Sequence, residues 1–478
     1  MKKINLIVLL FIGLVFVSCD KDFDELNQNP NNPTSVPSEL LLGNMLRATG
    51  DVMYSTFNGG DMGACWAQHF AKVQYNDEER YIPRESAIGN VWAALYEFVA
   101  ADAKVMYNLA VTEDNEISQG VALTMQAYAF LLLTDLYGDI PFTEALQGAD
   151  NISPVYDSQQ TVYNGCLSLL DEAMAKLNPA NGELNSSQDI LYGGDVSKWK
   201  KFAASLKFRA LMRISAVDAR ASEMQALVNS GLLFASSDDE AKLVYLSSAP
   251  NANPIYESVV FGTRNEWKIN SAVVERMDGT LGFPNDNRLP VVAQPNEDDV
   301  YRGKPSGIQD VPSVEYSYAN VSALGEFYLR PELPAVFLSY TELQFLLAEA
   351  AKKSYISGGD AAAAAYYQAG IASSFADNEV SMGTYYSGAV AYTSASALEQ
   401  IATQKWLALY SQGFEAWIEW RRTGYPNLTP AIDGAINEIP SRLTYPVIEQ
   451  SLNAANYNAA VSNLPGGDKL TSPVWWMN

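Results

Sequence analysis

The sequence predicts a mainly α-helical protein, in which tetratricopeptide-like helical hairpins form a scaffold and a loop-rich region carries short strands. Three observations predict it. Apolar residues recur at 3.6-residue spacing, over stretches of about 15 to 20 residues, through most of the chain. Small residues fall where paired helices would cross, as in hairpin arrays, although no clean repeat of fixed length survives. The 85 residues from 250 to 334 hold nine of the 22 prolines and lack any long periodic segment. Apolar residues make up 48% of the 478 and charged residues 18%, which is material for a substantial core.

The chain opens with a basic start, Met1-Lys2-Lys3, and a nearly unbroken apolar run from Ile4 to Val17. That run has the length of a secretory h-region and is shorter than the ~20 residues a membrane span requires. Its end, "VFVSC", resembles the lipobox of bacterial lipoproteins, in which cleavage before Cys19 leaves a thiol that carries lipid. Residues 1–18 are therefore expected to be a lipoprotein signal peptide. Residues 19–38, rich in Asn, Asp and Pro, are expected to form a lipidated flexible tether, and 39–478 a single helical domain with a loop-rich insertion at about 250–334. Several alkyl chains at ~0.8 kcal/mol per buried CH₂ would hold such a chain to a membrane without spanning it. No later segment reads as long and apolar enough to span.

Helices follow in order. Val91, Leu95, Phe98, Val99 and Asp102 share one face, continued by Val105 and Leu109; Val121, Met125, Tyr128, Leu132 and Leu136 repeat the pattern until Gly138 and Pro141. Val162, Cys166, Leu169, Leu170, Ala173 and Leu177 mark a third. Trp199, Phe202, Ala203, Leu206 and Ala210 mark a fourth, with a basic outer face. "TELQFLLAEAAKK" is paired with the alanine-rich "AAAAAYYQAGIASSF", and 398–422 gives one or two helices interrupted near Gly413. In 250–334, "GTRNEWKIN", "GFPNDNRLPVV" and "YRGKPSGI" read as loops on that scaffold, where ligand contacts usually collect.

Charge and composition exclude several functions. The formal net charge is −24, and loss of residues 1–18 takes away Lys2 and Lys3 and leaves −26. So acidic a surface repels nucleic acid and suits neutral or cationic ligands. With His69 the only histidine, a histidine-ligated metal hydrolase is excluded, and "PNDNRLP" and "NEDDV" lack the spacing of a calcium loop, so no metal or cofactor is expected. A glycoside hydrolase needs two carboxylates ~5 to 9.5 Å apart across a cleft, and no cluster among the 55 acids suggests one. Cys65 and Cys166 sit in apolar helical contexts, as a disulfide or as two buried thiols.

Tyr, Phe and Trp number 27, 18 and 9, and most must be core. The residues expected at a ligand surface are those in polar, irregular settings: Trp66, Tyr75 and Tyr81 around "QYNDEERY", His69 beside Trp66, and Arg264, Asn265 and Trp267 in the loop region. A flat aromatic covers the C–H face of a sugar, while Asn, Asp or Arg satisfies its hydroxyl rim. Glu419, Arg421 and Arg422 in "EWRRTGYP" read as a structural pairing.

The lipobox with its acidic tail, "WAQHFAKVQYNDEERY", "LTDLYGDIPFTEAL", "TELQFLLAEA", "QKWLALYSQGFEAWIEWRRTGYPNL", "IPSRLTYPVIEQSLNAANYNAA" and "SPVWWMN" together resemble the SusD-like branch of the SusD/RagB family, in order and over the whole mature chain. The resemblance implies a surface lipoprotein of the outer membrane that binds glycan, or in some members peptide. Such proteins deliver their ligand to a SusC-like, TonB-dependent barrel and do not cleave it. Asp20, Asp22, Asp24 and Glu25 resemble the family's export signal, with Lys21 a departure. A surface adhesin and a glycoside hydrolase are the remaining alternatives.

Overall fold

The computed structural model describes residues 36–309 and 314–477. Cys19, the signal segment and most of the expected tether lie outside the described residues.

The architecture is mainly α. Helix Glu116–Tyr137 is the central rod: Asn115 caps it by accepting from the Ser118 amide, and it ends at Gly138, whose φ of 88° favours a residue without a Cβ. At 22 residues it is long and apolar enough to cross a membrane, contrary to the expectation that no such segment follows the signal peptide. It is a core helix, with 94% of its most apolar window buried inside the fold. It packs between helices Ala101–Thr112 and Gln159–Lys176. A Cβ on Gly120 would lie 2.7 Å from Leu177 Cγ, so the crossing depends on glycine.

Residues 85–112 run as helix Glu85–Ala93, a π-helical segment Ala94–Ala100 and helix Ala101–Thr112. The buried face is Val91, Leu95, Val99, Ala103, Met106 and Ala110. The expected stripe thus holds only to Val99. The wider π-turn takes up an extra residue, which turns Phe98 within it and Val105 after it outward.

Helix Val196–Arg213 also departs from expectation. Its basic residues are not all on an outer face: Lys207, Arg209 and Arg213 are buried. Arg209 pairs with Glu342 at 2.5 Å, and Arg213 pairs with Glu415 and, at 3.2 Å, with Glu419. Lys405 reaches Glu419 at 2.9 Å, and Arg422 bridges Glu419 and Glu349 at 2.8 and 2.5 Å. This buried ion network ties Val196–Arg213 to Tyr340–Lys352, Ala397–Ala408 and Gly413–Thr423. The Glu419–Arg422 pairing is structural, as the sequence suggested.

Helices Tyr340–Lys352 and Gly359–Asp377 pack on one another as the expected pair. The 398–422 stretch is two helices, Ala397–Ala408 and Gly413–Thr423, broken at Gly413. The break has a packing reason. A Cβ on Gly413 would lie 2.1 Å from the Gly59 carbonyl oxygen, and one on Gly63 would lie 2.4 Å from the Phe414 nitrogen. Two backbones therefore meet without side chains between them, which fixes the segment Thr56–Ala64 on the scaffold.

Among the described residues, six short strands form three antiparallel pairs. They are β1 (Phe70–Lys72) with β5 (Trp267–Ile269), β2 (Ile140–Pro141) with β3 (Tyr156–Asp157), and β4 (Ala241–Leu243) with β6 (Ala335–Leu338). The first pair matters most here. Ala71 opposite Lys268 joins the N-terminal "FAK" to the loop-rich region, which otherwise holds short helices and turns. Cys65 and Cys166 are buried free thiols.

Candidate ligand surface

The surface rests on a buried polar floor. The π-helical segment Thr56–Ala64 carries Asp61 into the interior, where its carboxylate accepts from Trp267 Nε1 at 2.8 Å, Lys72 Nζ at 2.9 Å and Arg84 at 2.9 Å. Burial pushes the Asp61 pKa up against the pull of Lys72. Burial acts against the Lys72 charge too, but Asp61 outweighs it and the Lys72 pKa is raised. Glu79, also buried, accepts from the amides of Lys72 and Gly307 at 3.0 and 2.9 Å and from Lys304 Nζ at 3.2 Å. These bonds hold β1, β5 and the loop around 304–307 in one rigid piece.

Above the floor lies an exposed aromatic and polar strip. The Arg264 guanidinium stands 5.2 Å from the Phe57 ring and 5.6 Å from those of Tyr75 and Trp267, and it pairs with Glu266. Tyr75 is 59% exposed and has a φ of 53°, a left-handed conformation uncommon for non-glycine residues. Tyr318, 40% exposed, donates to Gln74 Oε1 at 2.9 Å, and Lys268 Nζ lies 5.5 Å from its ring. Burial lowers the Lys268 pKa. Phe261, in the same loop region, is 68% exposed. Flat rings, a guanidinium and amides on a fixed base suit a ligand with an apolar face and a rim of hydroxyl or amide groups.

The seven residues expected at a ligand surface divide. Tyr75, Arg264 and Asn265 are at the surface, the first two in contact. Trp66, His69, Tyr81 and Trp267 are buried beneath it, and the expectation that they present a face to ligand is corrected on that point. Trp66 packs edge-on to Trp417 at 4.8 Å and donates its indole N–H to the Glu78 carbonyl at 2.8 Å. Tyr81 accepts from the Ala431 amide at 2.8 Å, and burial pushes its pKa up to about 12. The Trp267 indole is held by Asp61.

His69 donates from Nε2 to the Trp406 carbonyl oxygen at 2.9 Å, and burial lowers its pKa to about 3. It is a neutral core imidazole. The reason these four misled is that their acidic neighbours are not solvated: Asp61, Glu78 and Glu79 are buried in ion pairs. Phe57, Gln74, Phe261 and Tyr318 were not singled out by sequence. Tyr318, in the polar "EYSYAN", met the same criterion that selected Tyr75.

Among the described residues, no three His, Cys, Asp or Glu side chains gather so as to hold a metal ion. The family model described as "Starch-binding associating with outer membrane", of SusD-like type, matches residues 30–446. Among solved structures, a chitin-binding protein is 26% identical and superimposes with a TM-score of 0.79, covering 92% of this chain and 99% of that one. A SusD-like protein from Bacteroides thetaiotaomicron is 26% identical, with a TM-score of 0.77 and 92% and 98% covered. A chitin-binding SusD homologue from Flavobacterium johnsoniae is 23% identical, with a TM-score of 0.77 and 92% and 97% covered. No curated protein sequence matches the chain.

Proposed function

Because the chain belongs to the SusD-like family, we propose that it is a lipid-anchored outer-membrane protein that binds glycan without cleaving it and passes it to a SusC-like, TonB-dependent barrel. The observation that carries the binding half is the strip of exposed Tyr75 and Tyr318 with half-buried Arg264 and Phe57 on a buried, ion-paired floor. Tyr75, Arg264, Asn265 and Tyr318 are the residues assigned to ligand contact. The 26% identical relative described as chitin-binding supports a polysaccharide fragment as the ligand. The anchoring half rests on sequence: residues 1–18 as signal peptide, Cys19 as the lipidated residue, and 19–38 as a tether that lets the domain face outward and meet the barrel.

A binding protein needs no pair of catalytic carboxylates across its surface. On this strip the nearest acid, Glu266, is taken up by Arg264 and buried, which fits binding rather than hydrolysis.

The test is titration of the chain lacking residues 1–19 with chitohexaose and maltoheptaose, beside Tyr75→Ala and Arg264→Ala. Loss of one stacked aromatic, worth about 1 kcal/mol, lowers affinity roughly five- to tenfold. Tyr75→Ala should keep the wild-type melting temperature, while Arg264→Ala, which leaves the buried Glu266 carboxylate without its ion-pair partner, should melt lower. Unchanged affinity in both would move the site elsewhere.

A further inference from the structure

The described residues contain three π-helical segments, Thr56–Ala64, Ala94–Ala100 and Glu257–Phe261. Such turns are rare and recur at functional sites. All three border one open cleft of about 600 Å³: Asn58 comes from the first, Ala94 and Phe98 from the second, and Glu257 from the third, with Asn44 and Asn90 completing the wall. That volume lies within the range of small-molecule sites.

The π-turn at 94–100 is what delivers Phe98. On an unbroken helix Phe98 would continue the core stripe, whereas here it is 49% exposed at the cleft. Most charged groups around it are satisfied within the protein. Arg47 pairs with Asp51 at 2.7 Å and also donates to the Asn251 side chain at 3.1 Å and the Pro250 carbonyl at 2.9 Å. Glu257 accepts from the Ala252 amide at 3.0 Å. The side-chain amides of Asn58 and Asn90, in contrast, have no hydrogen-bond partner among the described residues, and each offers two donors and an acceptor.

We infer that this cleft is a second subsite for an uncharged sugar segment, with Phe98 as the platform for a ring face and Asn58 and Asn90 as the groups that bind its hydroxyl or acetamido substituents. An anionic ligand would find the cation lining the cleft, Arg47, already paired with Asp51. The subsite is contiguous in chain with the strip described above: Phe57 precedes Asn58, and Thr56 Oγ1 lies 2.8 Å from Ser258 Oγ, joining the first and third π-turns. The π-helical segment Thr56–Ala64 thus carries Phe57 to the strip and Asn58 to the cleft. The inference rests on the glycan reading given under Proposed function.

The experiment titrates the chain lacking residues 1–19, and its Phe98→Ala, Asn90→Ala and Tyr75→Ala variants, with chitohexaose, maltoheptaose and tetra-alanine. Melting temperatures are recorded for each protein. Phe98 and Asn90 are exposed, so both variants keep the fold. The expected result is a five- to tenfold loss of hexamer or heptamer affinity in Phe98→Ala, a two- to fivefold loss in Asn90→Ala, and an independent loss in Tyr75→Ala. If Tyr75→Ala weakens glycan binding while Phe98→Ala and Asn90→Ala do not, the second subsite is overturned and the glycan reading stands. If wild type binds neither glycan, both fall. Binding of tetra-alanine alone, lost in Phe98→Ala, would make the cleft a peptide site and overturn the inference.

Discussion

Glu349 offers a quantitative test of the buried ion network. Its carboxylate receives Arg422 at 2.7 and 2.5 Å and Lys353 at 2.7 Å. Burial disfavours its charge, but Arg422 overcomes that and holds the pKa at about 2, against an ordinary value of 4.5. Because the folded value is depressed, the stabilisation is fully present above pH 4.5 and is lost as pH falls toward 2. At 1.36 kcal/mol per pH unit, the full effect is about 3 kcal/mol at pH 7, and linkage leaves about 1.4 kcal/mol of it at pH 3.

Glu349→Gln keeps the shape of the side chain and leaves Arg422 its second partner, Glu419. The variant should therefore be less stable than wild type by about 3 kcal/mol at pH 7 and by about half that at pH 3. Urea unfolding of both proteins at the two pH values measures the difference directly. Equal destabilisation at both, or a larger one at pH 3, would refute the assignment of Glu349 as an ionised, Arg-held carboxylate.

The other consequences are simpler. Trp66→Ala removes a buried indole and should destabilise the chain by about 3 to 5 kcal/mol; a wild-type melting temperature would put Trp66 on the surface after all. Burial raises the pKa of the Cys65 and Cys166 thiols, so neither should react with a thiol reagent at pH 8 until urea unfolds the chain. Rapid labelling of the folded protein would contradict their placement. Cys19→Ala should move the full-length protein from the membrane to the soluble fraction, while wild type should co-purify with a TonB-dependent barrel. Membrane retention of the variant would place the anchor elsewhere.

The fold was legible because helices advertise themselves by period. Val121, Met125, Tyr128, Leu132 and Leu136 are all buried, and the break near Gly413 is where two backbones touch. The period failed at Ala94–Ala100, since an extra residue in a π-turn leaves no mark in the sequence. The motifs that carried the family resemblance supply the buried network of Glu342, Glu349, Lys405, Glu415, Glu419 and Arg422. They specify how helices cross, and so they located the fold and not the ligand.

The ligand surface was legible only by segment. Residues 66–81 and 264–267 do meet, through β1 and β5, yet which residue of each segment faces outward depends on partners distant in sequence. Trp267 looks solvent-facing in "RNEWKIN" until Asp61, 206 residues away, takes its indole N–H. Tyr75 and Arg264 stand outside because the acids beside them are drawn inward by Lys72, Arg84 and Lys304.

The most direct measurement of the central claim is calorimetric titration of the chain lacking residues 1–19 with chitohexaose and maltoheptaose, with mass spectrometry of the sugar after prolonged incubation. The account predicts saturable binding of at least one glycan, recovered at its original length. No binding of either sugar, or recovery of shortened products, would contradict it.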